Sequence, residues 1–151
     1  MIDDALDSVA IVASESAFAI GDTARGWSLC ERRAGLPDGP PPAWDRGAPP
    51  SGPVLVCSEQ GVGDEFIFLS CLPDLLHTVP DVIVECDTRN VALSQRSFPA
   101  SQFVARTTTE TGWGCCAWNY HYLVAERGPS AHLLSGSLPG LLGVGLARPA
   151  L

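Results

Sequence analysis

Residues 54–68 read VLVCSEQGVGDEFIF. The opening run VLVCS (54–58) has no polar alternation, the pattern of a strand buried on both faces. Two glycines and a group of acids follow, and then an apolar helical pattern begins. A second buried run, DVIVEC (81–86), repeats the strand signal, and SQFVAR (101–106) gives a third, shorter one. Between the first two, residues 64–77 place Phe66, Ile67, Leu69, Leu72, Leu75 and Leu76 on one helical side. Pro73 is expected to kink that helix or to start a new one. TRNVALSQRSF (88–98) reads as the next helix. The βαβαβ succession predicts an α/β fold with a parallel, Rossmann-like sheet over 54–151.

Upstream, residues 4–20 carry apolar positions at helical spacing, Gly21-Asp22 ends that helix, and TARGWSLCERR reads as a second. The two form a helical hairpin over 1–35. Residues 36–53 join it to the sheet. The stretch from Pro37 to Pro53 holds seven prolines, which excludes a helix or a central strand. Trp44, the one large apolar residue there, is expected to dock this linker onto a neighbouring domain. Downstream, residues 107–129 show no clear period, although Tyr120–Val124 has strand character. Residues 130–146 hold a Ser-Gly-Ser-Leu-Pro turn and an apolar stretch broken by glycines.

The chain has 151 residues and a net charge of −8. No basic patch is present to neutralise phosphates, which argues against nucleic acid as a partner and against an anionic membrane surface. No apolar stretch reaches the roughly 18 residues of a membrane span, and the acidic N-terminus does not resemble a signal peptide. The expected location is the cytoplasm. The six cysteines form no CxxC pair and read as buried, reduced thiols. Cys115, Cys116 and His121 are a poor metal set, because adjacent cysteines reach one ion badly. His77, His121 and His132 share no recognisable spacing.

In a parallel sheet, ligands bind beyond the carboxyl ends of the strands. The turn Glu59-Gln60-Gly61-Val62-Gly63-Asp64 lies at that edge. Its glycines permit positive φ and a close backbone approach. The dinucleotide fingerprint lacks its third glycine, and the phosphate-loop Lys is absent. The carboxylates would also repel a phosphate. Asp64 falls near a helix N-cap, where free N–H groups and the helix dipole stabilise a carboxylate. It is either a cap or a general base facing a cleft, and the two roles are compatible. Glu85-Cys86-Asp87 ends the second strand, where an acid caps the next helix or pairs with Arg89.

EQGVGDEFIFLSCLPDLL, VIVECDTRNVALSQRSFPAS and SGSLPGLL occur in that order. Together they resemble the first lobe of bacterial tetratricopeptide-repeat proteins that end in a domain similar to glycosyltransferase family nine, the heptosyltransferases. IGDTARGWSLCERR resembles the last repeat of such proteins, and PPAWDRG resembles the joint. The resemblance covers most of residues 15–106 and 133–142. It implies the N-terminal lobe of a two-lobed GT-B fold, with the nucleotide-sugar donor as substrate and no metal or other cofactor. It implies that Asp64 takes the proton of an acceptor hydroxyl, that Gly61 and Gly63 allow close approach, and that Glu59, Gln60 and Ser137 line the cleft. The acceptor would be a protein or a glycan, and the helical repeat would meet a protein partner. The chain is expected to be a segment of a longer protein, or a truncated gene product, inactive by itself and prone to self-association. The competing reading is a non-catalytic interaction module derived from a repeat protein. A nucleotide-binding regulatory domain is disfavoured by the acidic loop.

Overall fold

The computed structural model describes residues 2–32, 41–44, 46–112 and 115–143. The chain divides into two compact units, residues 36–136 and residues 1–35 with 137–151.

In the second of these, α1 (Ile2–Ala19) and α2 (Thr23–Cys30) form the expected helical hairpin. Gly21 takes φ +81° in the turn. Asp22 caps α2 by accepting the Arg25 N–H at 3.1 Å, the usual service of a short polar side chain at a helix start. The rings of Phe18 and Trp27 meet edge to face, with centroids 4.8 Å apart. Gly26 makes that contact feasible, because a Cβ there would come within 2.4 Å of the Phe18 ring.

The other unit is built on β1 (Val54–Cys57), β2 (Val82–Cys86) and β3 (Gln102–Ala105), as their apolar runs imply. An antiparallel hairpin of β4 (Thr108–Gly112) and β5 (Cys115–Trp118) follows, and then β6 (Ala131–Leu134). The main sheet is four-stranded and wholly parallel, in the order β3-β2-β1-β6. Val54 pairs with Val82 on one side and with Ala131 on the other. This is an α/β, Rossmann-like arrangement.

Every residue of β1 and β2 is buried, as two-sided coverage requires. On one face Leu55, Cys57 and Ile83 pack with Tyr120 and Leu123. By the two-residue period, Val54, Val56, Val82 and Val84 point to the other face. The helical segment at 64–77 resolves into α3 (Val62–Leu69) and α4 (Leu72–Thr78), with Pro73 in the first turn of α4, where its missing N–H costs nothing. Next comes α5 (Val91–Ser97).

Two readings change. Residues 120–124 are not a strand. They open α6 (His121–Arg127), because Asn119 Oδ1 accepts the His121 N–H and Gly128 closes the helix at φ 59°. The segment before the Ser-Gly-Ser turn is a strand, β6, which leads into a 3₁₀ turn (Ser135–Ser137) and α7 (Leu138–Leu141). Part of the proline-rich linker also has a place. The Trp44 N–H donates to His132 O and the His132 N–H to Pro42 O, so 42–44 lies along the outer edge of β6. Edge pairing is the sheet position that prolines tolerate. Linker residues 36–40 and 45, the Cys115 and Cys116 side chains, and residues 144–151 lie outside the described residues.

Candidate functional site

The strand order fixes a topological switch. The chain runs outward from β1 through β2 to β3, then returns to β6 on the other side of β1. Such a reversal opens a crevice beyond the carboxyl ends of the two strands that flank it, here β1 and β6. Glu59, immediately after β1, is buried, and its Oε1 accepts the N–H of Gly136, just after β6, at 2.8 Å. One predicted cleft residue therefore spans the crevice and ties its two walls together.

The rest of the turn follows from local backbone demands. Gln60 takes φ 61°, a left-handed conformation that costs a side-chain-bearing residue about 1–2 kcal/mol. Gly61 and Gly63 permit positive φ. Neither adopts it, because Gly61 is the extended N-cap of α3 at φ −91° and Gly63 is helical. The close approach expected of Gly63 stays open to it, since a Cβ there would meet nothing within 4 Å. Asp64 is the third residue of the helix, and its Oδ2 reaches back to the Gly61 N–H at 3.1 Å. This is the acidic half of a capping box. Among the described residues Oδ1 makes no hydrogen bond. Ser137 is buried at the end of the 3₁₀ turn.

The centre of the strand-end chemistry is Glu65, which the sequence reading passed over. It is 2% exposed, and four donors make five hydrogen bonds to its carboxylate. Arg106 Nη2 stands 2.6 Å from Oε1 and Asn90 Nδ2 is 2.7 Å from Oε2. The Asp87 N–H donates to both oxygens, and the Ser58 hydroxyl donates to Oε1. Arg106 Nη2 also donates to Ser58 Oγ. Ser58 follows β1, Asp87 follows β2 and Arg106 follows β3. One side chain from α3 therefore gathers the carboxyl ends of three strands.

A second carboxylate, Glu85, faces the opposite side. Its Oε2 accepts the Ser58 N–H at 3.0 Å and the Tyr120 hydroxyl at 3.1 Å. Burial pushes its pKa up to about 7, against the pull of those donors and of Arg106, with Glu65 adding to the rise. Glu85 neither caps the next helix nor pairs with Arg89. Asp87 does the pairing, with Arg89 Nε and Nη2 each 2.9 Å from its carboxylate, and this holds it well below the usual range. The nearby thiols are poor nucleophiles, because burial raises Cys57 strongly and Cys86 to about 12. Burial likewise raises the Tyr120 hydroxyl.

An acid inside VIVEC was a visible signal for Glu85, since a carboxylate in a two-sided buried strand needs partners. No comparable local signal marks Arg106 or Tyr120. Among the described residues no group of three His, Cys, Asp or Glu side chains could hold a metal ion, and no helix is long and apolar enough to cross a membrane. Comparison with protein-family models, with curated proteins and with solved structures found no match.

Proposed function

We propose that the unit of residues 36–136 forms the acceptor side of a sugar-transfer site, with Asp64 as general base and a nucleotide sugar as donor. The observation that carries this reading is the posture of Asp64. It lies in the first turn of α3, at the carboxyl edge of the sheet. One carboxylate oxygen is fixed by the Gly61 N–H and the other makes no hydrogen bond among the described residues. A fixed carboxylate with an unused lone pair is what proton abstraction from a hydroxyl needs. In the proposed step Oδ1 takes the acceptor proton and the acceptor oxygen bonds to the anomeric carbon. The bond from that carbon to the donor's phosphate oxygen breaks, and the nucleoside diphosphate leaves with the electron pair. The donor is held by a second lobe of the kind the family resemblance implies. Glu59, Gln60, Gly61 and Gly63 belong to the same turn.

The test is Asp64→Asn in the full-length natural protein, assayed with a panel of nucleotide sugars and hydroxyl acceptors. The amide keeps an oxygen for the Gly61 N–H and loses the base. A fall in turnover of about 10²–10⁴-fold with unchanged folding fits the proposal. Transfer at the wild-type rate overturns it.

The helical hairpin favours a second reading, a non-catalytic interaction module. Val9 and Val12 lie close to one face of α1, Ile20 follows its end, and the three are 65%, 63% and 80% exposed. Apolar groups so placed favour a partner surface. No transfer with any donor, together with loss of a purified partner's binding in Val9→Lys/Val12→Lys, selects this reading.

A further inference from the structure

The two outer edges of the four-stranded sheet are covered in different ways. On β6 the cover is backbone. His132 donates to Pro42 O at 2.9 Å and receives the Trp44 N–H at 2.8 Å. On β3 the outward groups include the Ser101 carbonyl and the Phe103 N–H. Both are met by one side chain from α5. Gln95 Nε2 donates to Ser101 O at 2.9 Å, and Gln95 Oε1 accepts the Phe103 N–H at 3.4 Å. A primary carboxamide carries the same donor and acceptor as a peptide unit. Gln95 thus stands where the N–H and C=O of a single residue of a neighbouring parallel strand would stand. Its second bond lies beyond the usual N–H···O range, so that edge N–H is held weakly.

A groove of about 390 Å³ runs beside this edge, lined among others by Gln95, Pro99, Ser101, Phe103 and Arg127. Ser101 is buried, and its Oγ has no hydrogen-bond partner among the described residues. A buried hydroxyl without a partner is uncommon and calls for an unseen one. Arg127 supplies a cation, and its only described ion pair is a loose one to Glu126 at 3.7 Å. The groove therefore offers main-chain pairing and a positive charge, beside a hydroxyl that is buried and unpartnered among the described residues.

We propose that the outer edge of β3 binds an extended peptide segment that carries an acidic residue. The peptide displaces the Gln95 carboxamide, pairs its own backbone with Ser101 and Phe103, and sets its carboxylate against Arg127. The segment 42–44 on β6 shows the same sheet accepting an extended peptide on its other edge. Recognition by strand addition draws affinity from main-chain bonds and selectivity from side-chain contacts.

The probe is the blocked peptide acetyl-Val-Thr-Asp-Val-Thr-amide, titrated into the isotope-labelled 151-residue chain. The expected result is a shift of the Phe103 amide resonance and slower exchange of that amide. Binding should be lost on N-methylation of the central peptide bonds. It should weaken about tenfold in Arg127→Ala, with no such loss for the Asn-containing peptide. Gln95→Ala should tighten binding about 3–10-fold, because the internal competitor is gone. Should Gln95→Ala not fold, Gln95→Met, which keeps the chain length and loses both bonds to the edge, should tighten binding in the same direction. No shift at millimolar peptide, or binding indifferent to N-methylation, overturns the proposal. A Gln95→Ala dimer that the peptide cannot dissociate assigns the edge to a second copy and also overturns it.

Discussion

Glu65 and Arg106 meet at 2.6 Å across 41 residues of sequence, with Glu65 buried and Arg106 mostly so. A buried pair is weak evidence for net stability, but removing one partner strands the other charge. Glu65→Ala is therefore expected to cost about 3–5 kcal/mol. Denaturant titration of the purified chain measures it. A loss under 1 kcal/mol would mean that water replaces the missing carboxylate.

Asp64→Ala removes the bond to the Gly61 N–H. The expected cost is about 0.5–2 kcal/mol, and Asp64→Asn should recover most of it. Equal losses in both variants would mean that charge, not the hydrogen bond, stabilises the turn.

Glu85 should make stability depend on pH. Its folded pKa, about 7, lies above its ordinary value of 4.5. The folded state therefore holds the proton more tightly, and stability falls as pH rises between those values. The contribution is present in full below pH 4.5 and absent above about pH 7, a difference of about 3 kcal/mol. Glu85→Gln keeps an acceptor for Ser58 and Tyr120 and should flatten that slope. Denaturation midpoints from pH 4.5 to 8, wild type against variant, give the comparison, and identical slopes would exclude Glu85 as the source.

Gly26→Ala would push a methyl group into the Phe18 ring. Overpacking of this kind costs about 1–3 kcal/mol. The readout is thermal loss of the hairpin's helical signal. An unchanged midpoint would show that Phe18 swings aside without cost.

Gln60→Gly should stabilise the chain by about 0.5–1 kcal/mol, since glycine takes the left-handed conformation freely and gives back part of the gain in entropy. Destabilisation would show that the Gln60 side chain makes a contribution larger than its backbone strain.

The parallel core was readable because β1 and β2 are covered on both faces, so their residues are apolar without alternation. β6 escaped notice because AHLL is short and merges with the apolar residues that follow. α6 was obscured by aromatic and β-branched residues in YHYLV. Its helix depends on its ends, the Asn119 side chain and the left-handed Gly128. The Asp64 turn was readable for a local reason, since donor and acceptor lie three residues apart. Glu65, Arg106 and Tyr120 become a site only when distant strand ends are brought side by side. A linear pattern holds no trace of that meeting.

The strand order has a consequence for synthesis. β1 is an interior strand whose two neighbours reach it at very different times, since Val54 pairs with Val82 and with Ala131. On the ribosome, β1, β2 and β3 can assemble while one side of the apolar β1 is still bare, and it stays so until β6 has emerged. The proline segment cannot shield it in the interval, because its own partner is β6. A nascent chain paused after β3 thus presents a hydrophobic strand with one edge unpaired, a state prone to joining another chain.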